Sequence, residues 1–275
     1  MELYVDSADL DEIKEIMNLG ILRGVTTNPT LIKKSAEKRK KPGNTLDLDS
    51  YITTILRTVG KGIPVSLEVI GTTESDMYRE AKLLYEKFNK IADNVVIKIP
   101  INPSTYIDRA STDGLKVIKR LTAEGIPVNC TLIMTPQQAL LAANAGATYV
   151  SPFAGRIDDF LRDKYGISYN KGDYYPKDGL GTPAVNDNGI VSGVDLVEKT
   201  VKLLRGYSTK VIAASLRNPK QVLEVAYAGA DIGTVPYSTI KDLLSGWLSH
   251  HKTAEGMRKF IEDILPEYKV IFENV

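Results

Sequence analysis

Cysteine and histidine are nearly absent from this chain of 275 residues. Cys130 is the single cysteine, so no disulfide can form within the chain, and such a lone thiol is typical of a reducing compartment. The two histidines, His250 and His251, are adjacent and lie far along the chain. They argue against a zinc site built on several histidines, a histidine-dependent triad and a histidine general base. Acid–base chemistry must then use carboxylates, lysine or tyrosine.

The chain also lacks an excess of charge and any long apolar run. Lysine plus arginine number 35 and aspartate plus glutamate 34, a net charge of +1, so we expect no nucleic-acid partner and only local anion binding. No apolar run approaches the roughly 20 residues that span a bilayer, and the first residues enter a strand pattern without signal-peptide form. We therefore expect a cytoplasmic protein with no membrane partner. The length fits a single domain over residues 1–275.

Short β-branched or aliphatic runs alternate with longer amphipathic stretches. The runs predict eight strands, at residues 2–6, 24–27, 64–69, 95–100, 127–132, 148–151, 210–214 and 232–235. The amphipathic stretches predict helices at 9–19, 75–92, 112–123, 136–145, 195–204 and 219–228. This alternation predicts an α/β fold, a (β/α)8 TIM barrel, and the alternative is an open doubly wound sheet.

Two stretches and the C-terminal end depart from this alternation. Residues 33–44 carry lysine or arginine at six positions, and we interpret them as a solvated insertion. Residues 167–188 are rich in Gly, Tyr, Pro, Asp and Lys, and predict a second insertion in a loop, with a lid or an interface segment as the functional alternative. Helical patterns at 238–247 and 253–265, followed by a tail with Ile271 and Phe272, predict a C-terminal helical extension. We expect residues 251–275 to dock on a neighbouring subunit of a homo-oligomer.

Lys98 lies in the apolar run Asn94-Val95-Val96-Ile97-Lys98-Ile99-Pro100. A strand between two helices belongs to a parallel sheet that is buried on both faces, where an unpaired lysine tends to lose its proton. A neutral amine is a nucleophile, so this position suggests a Schiff base with a carbonyl substrate. The alternative is a structural lysine that is paired with a carboxylate.

Other polar residues also fall at the ends of predicted strands, which meet at the C-terminal mouth of a barrel. These are Asp6, Asn28, Glu68, Asn129, Thr131, Ser151, Arg156, Ser215 and Arg217. Arg156 and Arg217, with Ser215, predict a cationic clamp for phosphate. Structural explanations remain for some of the others: Asp6 and Asn28 as helix caps, and Ser151 as a tie within a turn. Strand alternation turns Cys130 toward the helices, which predicts a structural role for it.

At these residues the chain resembles the transaldolase family, including its short microbial branch and the related fructose-6-phosphate aldolases. The matching segments are Val5-Asp6-Ser7-Ala8, Val25-Thr26-Thr27-Asn28-Pro29-Thr30, Ile97-Lys98-Ile99-Pro100, Asn129-Cys130-Thr131-Leu132, Ser151-Pro152-Phe153-Ala154-Gly155-Arg156 and Ala214-Ser215-Leu216-Arg217. They follow the order of the family across most of the chain. The resemblance implies a (β/α)8 barrel with class I aldolase chemistry, which uses no metal and no separate cofactor.

The resemblance also implies a role for each matching residue. Lys98 would form the Schiff base with a ketose phosphate, and Asp6 would deprotonate the hydroxyl whose oxygen becomes the aldehyde. Glu68, with Thr131, would position a water that shuttles protons. The substrate would be held by Asn28 and Asn129 at donor hydroxyls and the three-carbon unit, Ser151 and Phe153 at the donor site, and Arg156, Ser215 and Arg217 at the phosphate.

Two positions bear on the division within the family. Glu68 and Phe153 resemble the transaldolase pattern, whereas the aldolases have glutamine and tyrosine there. We therefore expect a transaldolase of the pentose phosphate pathway that moves dihydroxyacetone from sedoheptulose 7-phosphate or fructose 6-phosphate to an aldose phosphate. The alternatives are an aldolase that releases free dihydroxyacetone and a non-catalytic barrel that binds sugar phosphates. The chain departs from the compact pattern at Leu216, at residues 102–106 and in the two insertions.

Overall fold

A computed structural model describes residues 1–39, 47–106, 109–181 and 188–273. Eight parallel strands pair in chain order, and the eighth pairs with the first to close a barrel. The strands are β1 (Glu2–Asp6), β2 (Gly24–Thr26), β3 (Val65–Glu68), β4 (Val95–Pro100), β5 (Val128–Ile133), β6 (Tyr149–Pro152), β7 (Lys210–Ala213) and β8 (Ile232–Val235). The closed barrel confirms the predicted (β/α)8 fold over the open doubly wound sheet.

Helices follow the strands and surround the barrel. They are α1 (Leu10–Asn18), α2 (Pro29–Arg39), α3 (Leu48–Val59), α4 (Glu74–Ala92), α5 (Asp113–Ala123), α6 (Pro136–Asn144), α7 (Ala154–Lys164), α8 (Gly193–Leu203), α9 (Pro219–Tyr227), α10 (Tyr237–Leu244), α11 (Trp247–Glu262) and α12 (Pro266–Glu273). Local signals explain several starts. Thr135 and Gln138 form a reciprocal capping box at α6, and Asn218 precedes Pro219 at α9.

Three of the helices that surround the barrel, α2, α3 and α7, were not among the predicted ones, and neither was the C-terminal α12. The interpretation of residues 33–44 as an insertion in a loop is wrong for 33–39, which belong to α2, although the charged side chains of this part are exposed as predicted; residues 40–44 lie outside the described residues. The basic side chains reach the start of α1: Lys38 Nζ lies 2.7 Å from Asp9 Oδ2, and Arg39 Nη2 lies 2.6 Å from Asp11 Oδ2. These tertiary ion pairs give the basic run a partner that its own sequence does not show.

The second insertion and the C-terminal extension agree in part with what the sequence predicted for them. The described residues of the second insertion, 167–181 and 188, contain no strand or helix, as expected for a loop, and 182–187 lie outside the description. The C-terminal extension is helical as predicted. Its tail differs, since Ile271 and Phe272 lie within α12.

The apolar core lies between the barrel and its helices. In β4, Ile97 and Ile99 are fully buried, and Cys130 of β5 joins the same core. Burying a large aliphatic side chain contributes about 1.5–3 kcal/mol. Burial also raises the pKa of the Cys130 thiol, which supports the predicted structural role for this residue. Tyr4, at 3% exposure, packs inside the barrel against Ile212 and Ile232.

Strand register brings the predicted catalytic residues together. Glu68 of β3 pairs with Lys98 of β4, and Lys98 pairs in turn with Asn129 of β5. Because side chains alternate along a strand, the residues beside Ile97 and Ile99 point to the opposite face. The apolar face of β4 thus packs outward onto the helices while Lys98 points into the barrel.

Candidate active site

A cavity of about 240 Å³ opens at the carboxyl ends of the strands. Its walls contain nine of the eleven predicted site residues: Asp6, Asn28, Lys98, Asn129, Ser151, Phe153, Arg156, Ser215 and Arg217. Glu68 stands behind this wall and contacts Lys98, whereas Thr131 is fully buried outside it. Lining residues come from seven of the eight strands or the loops after them, as barrel architecture predicts.

Lys98 and Glu68 form the ion pair at the inner end of the cavity. The Nζ atom of Lys98 lies 3.1 Å from Glu68 Oε2 and donates to the carbonyl of Thr27 at 3.3 Å. Lys98 is 7% exposed. The carboxylate partner that a structural lysine would need is therefore present, but Lys98 itself lines the cavity. Removing one member of such a buried pair costs about 3–5 kcal/mol, because the other charge stays uncompensated.

Asp6 lies across the same cavity at the end of β1. Its Oδ1 accepts a hydrogen bond of 2.9 Å from Thr26 Oγ1, which also lies 2.5 Å from Thr234 Oγ1. Burial raises the pKa of the Asp6 carboxyl, while the charge of Lys98 and the Thr26 hydroxyl act in the opposite direction. A carboxyl with a raised pKa beside an amine suits proton transfer. The alternative that Asp6 caps α1 is wrong, because Asp9 does so by accepting from Asp11 N at 2.9 Å.

Amides and hydroxyls line the wall between these charged groups. Asn28 accepts from Leu31 N at 2.9 Å, so the capping interpretation is confirmed while the residue also lines the cavity. Ser151 Oγ donates to Asn129 Oδ1 at 2.7 Å. This bond fixes the orientation of the Asn129 amide. The Nδ2 of Asn129 then donates to Ser66 Oγ at 3.4 Å.

Thr131 has a different environment from its predicted neighbours. It is fully buried, and its hydroxyl has no hydrogen-bond partner among the residues that the structure describes. An unpartnered buried hydroxyl costs about 1–3 kcal/mol unless water or a ligand pairs with it. No direct contact joins Thr131 to Glu68 in the described chain, so the predicted cooperation of the two requires an intervening water.

The outer end of the cavity carries the predicted phosphate residues. Arg217 already has a partner, since its Nη2 lies 2.5 Å from Asp159 Oδ2 and its Nη1 bonds to Asp159 Oδ1. The predicted clamp of two arginines needs correction here: the fork of Arg217 faces a carboxylate, because α7 brings Asp159 beside the loop after β7. Arg156 is exposed, and its guanidinium carbon lies 5.5 Å from the centroid of the Phe153 ring.

Close backbone packing holds this end of the cavity in shape. A Cβ atom at Gly155, in the first turn of α7, would stand 2.3 Å from the Ser215 carbonyl oxygen, so only glycine fits. Gly155 N donates to that oxygen at 3.2 Å. Ser215 itself has φ of 60°, in the left-handed region that non-glycine residues rarely adopt. Such backbone strain often occurs at functional sites.

Four residues at the cavity were missed by the reasoning from sequence. Thr26, Thr234 and Lys171 line it, and Asp159 pairs with Arg217. Thr26 belongs to the matching segment Val25-Thr26-Thr27-Asn28-Pro29-Thr30. Strand alternation places its side chain on the same face as that of Asn28, a predicted site residue, and this signal could have found it. Nothing in the sequence marks Lys171, since it belongs to the second insertion.

Neither a metal-binding cluster nor a membrane-spanning helix is present among the described residues. In residues 1–39, 47–106, 109–181 and 188–273, no group of three or more His, Cys, Asp or Glu side chains could hold a metal ion. Across the same ranges, no helix combines the length and the apolar character needed to cross a bilayer.

The chain matches known proteins over nearly its whole length. The family model described as transaldolase/fructose-6-phosphate aldolase matches residues 3–268. The chain belongs to this family. A probable transaldolase of Thermoplasma acidophilum is 39% identical over 98% of this chain and 100% of its own length.

Two further relatives agree with this assignment. The probable transaldolase of Geobacter sulfurreducens is 40% identical, over 96% of this chain and 97% of its own. That of Thermus thermophilus is 39% identical over the same shares. The membership confirms the resemblance drawn from the quoted segments, and with it the prediction of a transaldolase, a transferase.

Proposed function

We propose that this enzyme transfers a dihydroxyacetone unit from a ketose phosphate, sedoheptulose 7-phosphate or fructose 6-phosphate, to an aldose phosphate through a Schiff base on Lys98. One observation supports this most: Lys98 lies in the cavity wall with Glu68 at 3.1 Å and shares the cavity with Asp6, whose pKa is raised. Nucleophile, water-handling carboxylate and acid–base carboxyl are thus held on three strands of one barrel.

The first step joins the donor to the enzyme. With its proton transferred to Glu68, the amine of Lys98 attacks the ketone carbon and gives a carbinolamine. Loss of the hydroxyl as water then forms the protonated imine. Glu68 delivers the proton that this water needs, through a water held near Thr131. The Thr131 hydroxyl supports this role, because no group among the described residues already pairs with it.

The second step breaks the carbon–carbon bond. Asp6 takes the proton of the hydroxyl whose carbon becomes the aldehyde, and the electron pair of the broken bond moves into the protonated imine. The product aldehyde leaves, while the three-carbon enamine stays on Lys98. An acceptor aldehyde then undergoes the reverse step, in which Asp6 returns the proton to the new hydroxyl. The imine itself is the electron sink, so the proposal uses no separate cofactor.

The other cavity residues would bind the substrate. Asn28 and Asn129 hold hydroxyls of the three-carbon unit, and Ser151 and Phe153 line its site. The bond from Ser151 to Asn129 supports this role, because it fixes the orientation of an amide in the cavity wall before substrate arrives. The phosphate lies at Arg156, Ser215 and Arg217.

Retention of the three-carbon unit separates a transaldolase from an aldolase. Glu68 supports transfer, because a carboxylate paired with Lys98 controls the water that would hydrolyse the intermediate. The alternative, fructose-6-phosphate aldolase activity, predicts rapid stoichiometric release of dihydroxyacetone from fructose 6-phosphate without an acceptor. Measuring free dihydroxyacetone with and without erythrose 4-phosphate distinguishes the two, and we expect release to remain far below transfer.

Borohydride trapping tests the Schiff base. Incubation with fructose 6-phosphate and reduction should leave a three-carbon adduct on Lys98, detected by peptide mass spectrometry. The variant Lys98→Met should show none. A fully active enzyme whose Lys98 remains unmodified contradicts the mechanism. A non-catalytic sugar-phosphate-binding barrel predicts binding without turnover, so measured transfer excludes it.

A homo-oligomer is part of the proposal, and the C-terminal helices support it. Large apolar side chains on α11 and α12 are more than half exposed: Leu248, Met257, Phe260, Ile261, Tyr268, Ile271 and Phe272. Contiguous apolar surface of this kind marks interaction sites. Light scattering should give several subunits for the full chain and fewer for Phe260→Asp with Ile271→Asp. Tyr227→Asp, at a residue of 86% exposure on α9, is the matched control.

Two further expectations accompany the oligomer in the proposal. The chain would act as a single domain, residues 1–275, and it would work in the cytoplasm on the pentose phosphate pathway. The single cysteine, buried in the core, supports a reducing location.

A further inference from the structure

The net positive charge at the outer end of the cavity is smaller than its two predicted arginines alone would give. Arg217 is paired with Asp159, whose Oδ1 also lies 3.7 Å from Arg162 Nη1, so much of the Arg217 charge is already compensated within the protein. Of the predicted phosphate residues this leaves Arg156 as the uncompensated cation, beside the neutral Ser215. A phosphate monoester carries roughly −1.5 to −2 charges at pH 7. The predicted set therefore leaves part of the phosphate charge without a partner.

Lys171 is the additional cation at this place. It lines the same cavity as Arg156 and Arg217, and it comes from the second insertion, between α7 and α8. The residue is exposed, and its ammonium has no ion-pair partner within the part of the chain that the structure describes. Its charge is therefore available to an anion in the cavity.

Contacts of the main chain hold Lys171 at the cavity rim. Its carbonyl oxygen accepts from Arg217 Nη1 at 3.5 Å, and the carbonyl of Gly172 accepts from Asn218 Nδ2 at 3.3 Å. Both donors belong to the loop after β7. The short turn that carries Lys171 is closed on itself by Asp173 N donating to Asn170 O at 2.9 Å.

A second set of contacts ties the turn to α7. Arg162 Nη2 donates to the carbonyl of Asp173 at 2.7 Å, and Arg162 is 4% exposed. Its guanidinium also lies over the rings of Tyr169, at 4.7 Å, and Tyr175, at 5.2 Å. Tyr175 is buried. The turn that carries Lys171 is thus packed against the barrel, while the lysine side chain itself is exposed.

We propose that Lys171 binds the phosphate group of the sugar phosphate and so determines specificity for phosphorylated substrates. The inference rests on the proposed function and extends its binding set by one residue that no quoted family segment contains. Lysine suits this position because its flexible arm carries a point charge that reaches an anion without a fixed geometry. Since the phosphate is remote from the reacting carbons, this contact acts equally on bound substrate and transition state.

The test compares Lys171→Met with Lys171→Arg and with Lys164→Met. Methionine keeps the apolar arm and removes the charge, arginine restores the charge, and Lys164 is an exposed lysine at the end of α7 outside the cavity. We expect Lys171→Met to raise KM for fructose 6-phosphate by about tenfold, with kcat within about twofold. Arginine should recover most of the affinity, and Lys164→Met should match the wild type.

A second readout uses a ligand without phosphate. Dihydroxyacetone can form the Schiff base with Lys98 directly, so its concentration for half-maximal borohydride inactivation should be the same in Lys171→Met and wild type. An equal change for dihydroxyacetone and fructose 6-phosphate would mean a general structural effect and would overturn the proposal. An unchanged KM for fructose 6-phosphate would overturn it as well.

Titration calorimetry with inorganic phosphate separates this proposal from the function on which it rests. Lys171→Met should weaken phosphate binding by about tenfold at low ionic strength, and by less at 0.5 M salt, because an exposed charge is screened. If the wild type transfers no dihydroxyacetone yet phosphate binding depends on Lys171, the transaldolase proposal fails and the anion site stands. If the enzyme is active and phosphate binding is unaffected, only the role of Lys171 fails.

Discussion

The two ends of the cavity handle charge in opposite ways. At the inner end, Lys98 is 7% exposed and lies against Glu68, so each charge has its partner within the protein. At the outer end, Arg156 and Lys171 are exposed and have no carboxylate partner in the described chain, while Arg217 is held by Asp159. The inner end suits bond making in a dry environment, and the outer end suits reversible binding of an anion.

Loss of Lys98 should have the largest effect. Lys98→Met removes the nucleophile, so kcat should fall by about 10⁴-fold or more. It also leaves the Glu68 carboxylate largely buried without a partner, which should destabilise the fold by about 3–5 kcal/mol. Coupled assays of transfer and urea unfolding measure the two effects separately.

A double variant distinguishes chemistry from ion pairing at the inner end. Lys98→Met with Glu68→Gln removes both charges, so most of the lost stability should return while activity stays absent. If the double variant remains as unstable as Lys98→Met, the Lys98–Glu68 pair is not what stabilises this end. Measurable transfer by either variant would falsify the role of Lys98 as nucleophile.

Asp6 should produce the next largest effect. Asp6→Asn removes the acid–base group, and kcat should fall by about 10²- to 10⁴-fold. The base works when deprotonated, and burial raises its pKa, so the wild-type kcat should decline as the pH falls through this raised value. That acidic limb should vanish from the residual activity of Asp6→Asn.

Thr26→Val should change the pKa of the Asp6 carboxyl while leaving the carboxyl itself in place. The Thr26 hydroxyl donates to Asp6 Oδ1 and lowers its pKa, so valine should move the acidic limb to higher pH without abolishing activity. A limb that stays in place, or that shifts to lower pH, argues that another group titrates in the profile.

Sequence reasoning succeeded at the inner end for a physical reason. Lys98, Glu68 and Asn129 stand on strands, where the alternation of side chains fixes the direction of each residue and the closed sheet fixes its neighbour. The eight strands themselves were predicted to within one residue at each boundary. Burial of a charged residue in an apolar strand was a signal strong enough to find Lys98 without any structure.

The outer end was harder because loops and helix starts form it. Asp159 lies on α7, a helix missed in the sequence, and it meets Arg217 only through the packing of α7 against the loop after β7. The Lys171 turn is placed by contacts with Arg162 and Asn218, which are distant in the chain. For α2 the signals were present, since Asn28 was recognised as a cap before Pro29, but the basic run suggested a loop.

Arg156 should show an effect on binding that the inner end lacks. Arg156→Ala removes an uncompensated cation, so KM for fructose 6-phosphate should rise by about tenfold or more, with a smaller change in kcat. Trapping of dihydroxyacetone should be unaffected, because that ligand has no phosphate. Steady-state kinetics and borohydride inactivation measure the two. A loss confined to kcat would instead place Arg156 with the inner, chemical end.

The smallest expected effect concerns Asp158, whose carboxyl supports the outer end of the cavity. Asp158 is 3% exposed, and its carboxyl accepts hydrogen bonds from Gly193 N at 2.6 Å and from Gln221 Nε2 at 2.7 Å. Burial raises its pKa from 3.8 to about 7. The unfolded chain therefore releases this proton at lower pH than the folded one, and stability declines as pH rises between these values. Relative to Asp158→Asn, the wild type should lose about 1–2 kcal/mol of unfolding free energy from pH 5 to pH 7.

Urea unfolding across this pH range checks the sign as well as the size. Asp163→Asn, at an exposed position on the same helix, should leave the wild-type pH profile unchanged. Gln221 also accepts from Arg217 N at 2.9 Å, so the carboxyl and the phosphate-side loop share one hydrogen-bond chain. Parallel profiles for wild type and Asp158→Asn would mean that Asp158 is ionised throughout this range and that its burial does not link stability to pH.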